Sequence, residues 1–140
     1  MTGRYISAIE LANILLRVTD LEFDRVDSIK LRVPGRPGFM DISNLSAERF
    51  LRELLESRFF LIIDIEKAEM TLGKRVVKFK RLSIFFEPNG EIFVMPTEEI
   101  DAYSEEDIQK VVDKILALLH RFLSVLRALK DILFSYRLES

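Results

Sequence analysis

Hydrophobic positions follow two different periods along this chain. Spacings of three and four residues predict helices at 7–18 and 46–55, and over roughly residues 104–136. Each helix begins with a serine that can cap it, flanked by hydrophobic residues placed as in a hydrophobic staple. Three helix starts are therefore predicted by the same local chemistry.

Strands are predicted between these helices. Residues 26–33 alternate between hydrophobic and polar side chains, which is typical of a half-buried strand. Residues 34–38 contain two prolines and two glycines, so they predict a turn into a short antiparallel return strand at 39–42. Residues 59–65 are almost continuously hydrophobic and predict a central strand.

A hairpin is predicted next, closed by the loop 88–90. If Glu87 pairs with Glu91, the hydrophobic residues of both strands share the core face. The same register places Phe85 opposite Phe93 on the other face.

The first strand of this hairpin changes its hydrophobic phase before residue 82. Val77 and Phe79 have core character, and so has Leu82. In one regular strand, odd-numbered and even-numbered residues lie on opposite faces, so these three could not all reach the core. The pattern predicts a β-bulge near Lys80 and Arg81. The element order becomes α-β-β-α-β-β-β-α, which predicts an α+β fold with an antiparallel sheet of about five strands and three helices.

One local resemblance accompanies the hairpin. Residues 84–90, the strand 92–94 and the helix start Ser104-Glu105-Glu106-Asp107 resemble the end of a repeat of the TATA-binding-protein family. There, too, a glycine hairpin precedes an acidic helix that begins with serine. The resemblance covers about a third of the chain, without a tandem repeat and with extra residues before Ser104. It implies a curved antiparallel sheet with helices on one face.

The C-terminal pattern predicts one long amphipathic helix with a wide hydrophobic stripe. About 32 residues at 1.5 Å each would span about 48 Å, whereas a compact domain of this length is about 37 Å across. Either the helix breaks, near Ser124 or Ala128, or its end at about 124–137 leaves the domain. An end outside the domain would carry exposed hydrophobic residues into an interface.

Composition narrows the class of protein. The 140 residues fit a single domain over 1–140, with 49% hydrophobic and 31% charged residues and a net charge of −2. There is no cysteine, and few Asn and Gln stand beside abundant charged residues, a bias typical of thermophiles. Glu10 interrupts the early hydrophobic run, so no signal peptide or membrane segment is predicted and we expect a cytoplasmic protein.

Candidate chemistry is sparse. No phosphate-binding glycine loop occurs, and His120 is the only histidine, so the sequence predicts no catalytic residue, cofactor or metal site. Asp64 and Glu66 share a strand face and could hold a divalent cation, which leaves a carboxylate-metal enzyme as a third hypothesis. The alternative is a carboxylate pair facing Lys78 or Lys80 across the sheet.

A basic run gives the second hypothesis, a nucleic-acid-binding protein. Basic and aromatic residues on the outer face could bind phosphates and stack bases. The candidates are Lys74, Arg75, Lys78, Lys80, Phe85 and Phe93. Lysines on an edge strand can instead prevent aggregation, and outward aromatics can pack under another element.

The first hypothesis is a non-catalytic interaction module, either a homodimer or a small subunit of a complex. It uses the distal part of the long helix, where cover by the chain itself is least expected. The predicted interface residues are Phe122, Leu126, Leu129, Leu133 and Tyr136.

Overall fold

The computed structural model describes the backbone of residues 6–99 and 104–138 and the side chains of residues 6–96 and 104–135. The elements are α1 (Ala8–Leu15), β1 (Arg25–Arg32), β2 (Met40–Asp41), α2 (Ala47–Glu56), β3 (Phe60–Leu72), β4 (Arg75–Phe86), β5 (Ile92–Glu99), α3 (Glu105–Ala128) and α4 (Lys130–Leu138). A 3₁₀ turn, Leu16–Thr19, follows α1. The α+β class and the order of elements are confirmed, with the predicted C-terminal helix divided into two.

One antiparallel sheet organises the molecule. Its strand order is β2-β1-β3-β4-β5, so β3 and β4 occupy the centre. On its inner face, residues such as Ile29, Ile63 and Ile84 form a continuous core with the buried sides of the helices. The opposite face, called the outer face, contributes none of its described residues to this core: Ile62 is buried on it yet lies apart from the core.

The helix starts are capped as predicted. The side-chain oxygens of Ser7, Ser46 and Ser104 each accept a hydrogen bond from the backbone N–H three residues later, at 3.1–3.2 Å. Each bond satisfies an N–H that the helix cannot pair internally. The start of each helix is thus fixed by residues close in sequence.

The hairpin of β4 and β5 has the predicted register. Phe85 lies opposite Phe93, and the N–H of Glu87 donates to the carbonyl of Glu91 at 2.9 Å. Gly90 adopts a φ of +89°, the left-handed conformation that the turn requires. The loop and the alternation together therefore determined the pairing.

The phase change in β4 is also present where it was predicted. Phe79 and Leu82 are both in the core, and the pairing of β4 with β5 is irregular between them. The neighbouring strand β3 changes phase at the same level, between Ile65 and Ala68, with Lys67 at a φ of +52°. Because both central strands shift together, their mutual register is kept through the irregularity.

The C-terminal helix breaks beside Ala128, one of the two places that its length suggested. Leu129 has φ −97° and ψ 2°, and α4 begins at the next residue. Phe134 of α4 is buried in the core, and the guanidinium of Arg52 on α2 lies 4.1 Å from the centroid of its ring. This part of α4 therefore packs on the domain. Hydrogen bonds from Leu129 N–H to the carbonyl of Val125 and from Leu133 N–H to the carbonyl of Leu129, at 3.2 and 3.0 Å, continue across the junction.

Candidate interaction surfaces

The first surface lies where α3 meets α4. Four large hydrophobic side chains there remain exposed, and we call them the helix patch. They are Val125, Leu129, Ile132 and Leu133, with exposed fractions of 53%, 43%, 66% and 37%. Spacings of four, seven and eight residues bring such side chains to one side of a helix.

The interface residues predicted from the sequence are divided by the structure. Leu129 and Leu133 belong to the helix patch, whereas Phe122 and Leu126 are half-buried and pack towards the core. The side chain of Tyr136 lies outside the described residues.

Two residues of the helix patch were missed. Val125 and Ile132 lie on the same wide stripe as the predicted residues. Hydrophobic spacing alone could not tell which edge of that stripe α1 and α2 would cover.

The second surface is on the outer face of the sheet. Its hydrophobic side chains, called the sheet patch, are Phe60, Ile62, Phe85, Phe93 and Met95. Phe60 and Phe85 meet edge to face, with ring centroids 6.2 Å apart. Phe93 and Met95 are 45% and 53% exposed. The helices in the described part of the chain bury their hydrophobic sides on the inner face, so the sheet patch has no cover from them.

Beside the sheet patch, Asp64 occupies a polar position in the centre of the sheet. Ser28 Oγ donates to Asp64 Oδ2 at 3.1 Å, and Ser83 Oγ donates to Oδ1 at 2.5 Å. Lys30 Nζ lies 4.0 Å from Oδ2. Both carboxylate oxygens are thus held by neighbouring strands, and the residue is only 9% exposed. The geometry is that of a polar cross-strand network.

The other predicted carboxylate, Glu66, is paired with arginines. Arg25 Nε lies 3.2 Å from Glu66 Oε2, and Arg81 Nη2 lies 3.9 Å from Oε1. The lysines expected opposite the pair lie elsewhere, because the register places Ser83 opposite Asp64 and Arg81 opposite Glu66. Within the described residues, no group of three or more His, Asp or Glu side chains could hold a metal ion.

The predicted basic residues do not form one surface with the aromatic side chains. Arg75 binds Asp107 at the start of α3 through both terminal nitrogens, at 2.7 and 2.8 Å. Lys74 lies in the turn between β3 and β4, and Lys80 lies at the phase change. Lys78 is on the outer face, but seven residues along the strand separate it from Phe85, about 23 Å at strand spacing.

An open groove of about 710 Å³ lies beside the phase change of β3 and β4. Its charged lining consists of Glu22, Asp24, Glu66, Glu69, Lys67, Lys78, Lys80 and Arg81. Four acidic and four basic side chains balance one another, so the groove has no net charge that would select an anion or a cation. Its floor residues Ala68 and Phe79 are buried.

Comparison with known protein families, with curated proteins and with solved structures finds no match for this chain. None of the helices in the described residues is long and apolar enough to cross a membrane.

Proposed function

We propose that this chain is a non-catalytic interaction module that associates through the helix patch, as a homodimer or as a small subunit of a complex. The observation that supports this proposal is the exposure of Val125, Leu129, Ile132 and Leu133 around the junction of α3 and α4. A contiguous exposed hydrophobic group of this kind is typical of a protein interface. The partner is expected to be another helical surface, which would bury the same side of α3 and α4.

The free energy expected from burial of the helix patch is consistent with a weak homodimer. A two-fold contact would bury eight such side chains, four from each copy. Burial of the exposed half of each contributes about 6–12 kcal/mol in total, at about 1.5–3 kcal/mol for a fully buried side chain. Association costs about 4–15 kcal/mol in lost freedom. Since the two ranges overlap, we expect association at micromolar or higher protein concentration.

A nucleic-acid-binding function is less well supported. Binding along the phosphate backbone depends on basic side chains that are free to contact phosphates. Here Arg75 is engaged by Asp107, and Arg81 Nη1 lies 3.3 Å from Asp27 Oδ2. The sheet patch itself lies between charges of both signs, which favours a protein partner.

The test is the molar mass of a variant with Leu129→Glu and Leu133→Glu, measured by light scattering at high micromolar concentration. We expect the association through the helix patch to be lost, so that the variant has a lower molar mass than the wild type at the same concentration, because two carboxylates in each copy would be buried in the contact. Ile14→Glu is the matched control: Ile14 is 59% exposed on α1, and its replacement should leave the molar mass unchanged. Far-UV circular dichroism checks that helicity is retained. A wild type that is already monomeric would refute self-association through the helix patch.

A further inference from the structure

We propose that a second copy of this chain packs on the outer face of the sheet, through the sheet patch, with a two-fold axis parallel to the strands. This contact is separate from the helix patch and does not depend on it.

The first support is the hydrophobic character of a face that the described residues leave open. Ile62 is 8% exposed without being part of the core. On the same face, two strands away on β5, Phe93 and Met95 are about half exposed. A sheet with hydrophobic residues on both faces normally has both faces covered, because each is otherwise in contact with water. In the described part of the chain, only the inner face receives this cover.

The second support is the distribution of charge beside the sheet patch. Arg32 on β1 pairs with Phe60 on β3. The pairing of β3 with β4 ends at Leu61 and Phe86, and Glu87 follows Phe86, at the level of Phe60. Glu87 in turn is bonded to Glu91 at the start of β5. One row across the sheet therefore has a basic residue at one end and two acidic residues at the other. Lys30, two residues before Arg32, lies opposite Asp41 on β2 and 4.0 Å from Asp64 Oδ2, so Arg32 alone supplies the positive charge at the β1 end of the row.

This polarity selects the symmetry of the contact. A two-fold axis parallel to the strands places β1 of one copy over β5 of the other and keeps each row at its own level. Arg32 of each copy then faces Glu91 of the other, which gives two equivalent ion pairs. Packed sheets lie about 10 Å apart, a gap that Arg and Glu side chains can bridge together. An axis across the strands would instead place β1 over β1 and separate these charges.

The size of the surface fits a weak dimer. Four strands at about 4.8 Å are about 19 Å wide, and six residues along a strand are about 20 Å long. This projection of about 380 Å² is smaller than the roughly 600–800 Å² per partner of standard specific interfaces, so the contact is expected to be weak. A second copy also satisfies the charges, since each copy supplies both signs. Single-stranded nucleic acid would meet Glu87 and Glu91 beside the aromatic rings.

The experiment uses the full chain with Leu129→Glu and Leu133→Glu as background, so that the helix patch no longer contributes. Sedimentation velocity over a micromolar concentration range measures the dimer dissociation constant. We expect Arg32→Glu and Glu91→Arg each to raise the dimer dissociation constant about tenfold. The two substitutions together should restore the dissociation constant to within about threefold of the background value. Phe93→Glu should abolish the dimer. Ile14→Glu is the control that should change nothing. Arg32 and Glu91 are exposed, so the reversals test the contact even if Phe93→Glu does not fold.

If the background variant stays monomeric, the proposed sheet contact is overturned. If the wild type dimerises under the same conditions, association through the helix patch is still supported. Conversely, a background protein that dimerises like the wild type would support the sheet contact and refute the helix patch. Charge reversals without effect, or with additive effects in the double variant, would also overturn the sheet contact. A further outcome would also overturn the sheet contact: a monomeric protein that binds a labelled single-stranded oligonucleotide and no longer binds it when Phe93→Glu is introduced. That result would assign the outer face to nucleic acid.

Discussion

Replacement of Arg75 by Met tests the ion pair that joins β4 to the beginning of α3. Arg75 Nη2 donates to Asp107 Oδ1 at 2.7 Å, and Nη1 donates to Oδ2 at 2.8 Å. Asp107 is only 5% exposed, and its own N–H is bound by the capping oxygen of Ser104. Loss of the guanidinium would leave a buried carboxylate with fewer partners at the point where a long helix starts.

The expected loss of stability depends on how exposed the side chains of Arg75 and Asp107 are. Removing one partner from a fully buried ion pair costs about 3–5 kcal/mol. The side chain of Arg75 is 64% exposed, so water screens part of the interaction. We therefore expect Arg75→Met to lower the free energy of unfolding by about 1–2 kcal/mol, towards the lower end of the about 1.5–3 kcal/mol typical of hydrogen bonds to charged groups. For a chain of this length, that corresponds to a decrease in melting temperature of about 3–8 °C.

Urea denaturation of a double-mutant cycle measures this interaction. Arg75→Met, Asp107→Asn and their combination should show a coupling energy of about 1 kcal/mol. Arg58→Met is the matched control, because the side chain of Arg58 is also 64% exposed. The side chain of its partner Glu56 is 25% exposed, whereas the side chain of Asp107 is 7% exposed. We expect the control to cost less than about 0.5 kcal/mol. Equal costs for the two arginines, or a coupling energy near zero, would show that the burial of Asp107 does not strengthen the pair.

Two further predictions concern local geometry. Gly90→Val should cost about 1–2 kcal/mol in a denaturant melt, because the φ of +89° strains any β-branched side chain although nothing lies within 4 Å of the added Cβ. Gly90→Asn should cost clearly less, and equal costs would contradict the strain argument. Hydrogen bonds from the side chain and then the backbone of Ser43, with Lys30 nearby, hold the pKa of Asp41 below its ordinary value. The ionised Asp41 therefore stabilises the fold above its ordinary pKa, and this contribution is lost as pH falls through the lower folded-state value. Ser43→Ala should raise the pKa in an NMR titration and reduce this acid-side dependence. An unchanged titration would refute the assignment.

Much of the fold was determined by residues that are neighbours in sequence. The capping serines fix helix starts through bonds that span three residues. The loop before Glu91 fixes the hairpin register, and a two-residue alternation that breaks between Phe79 and Leu82 reveals the phase change. Such features depend on local backbone geometry and on one strand pair, so the sequence by itself predicted them.

The surfaces were decided by contacts between residues far apart in sequence. Hydrophobic spacing made Phe122, Leu129 and Val125 equivalent members of one stripe, and only the packing of α3 and α4 against the rest of the domain determined which of them stayed exposed. Likewise, Arg75 belonged to a basic run until the fold brought Asp107, 32 residues later, against its guanidinium. Periodicity records which side chains avoid water, whereas the partner that covers each one is set by how the elements pack together.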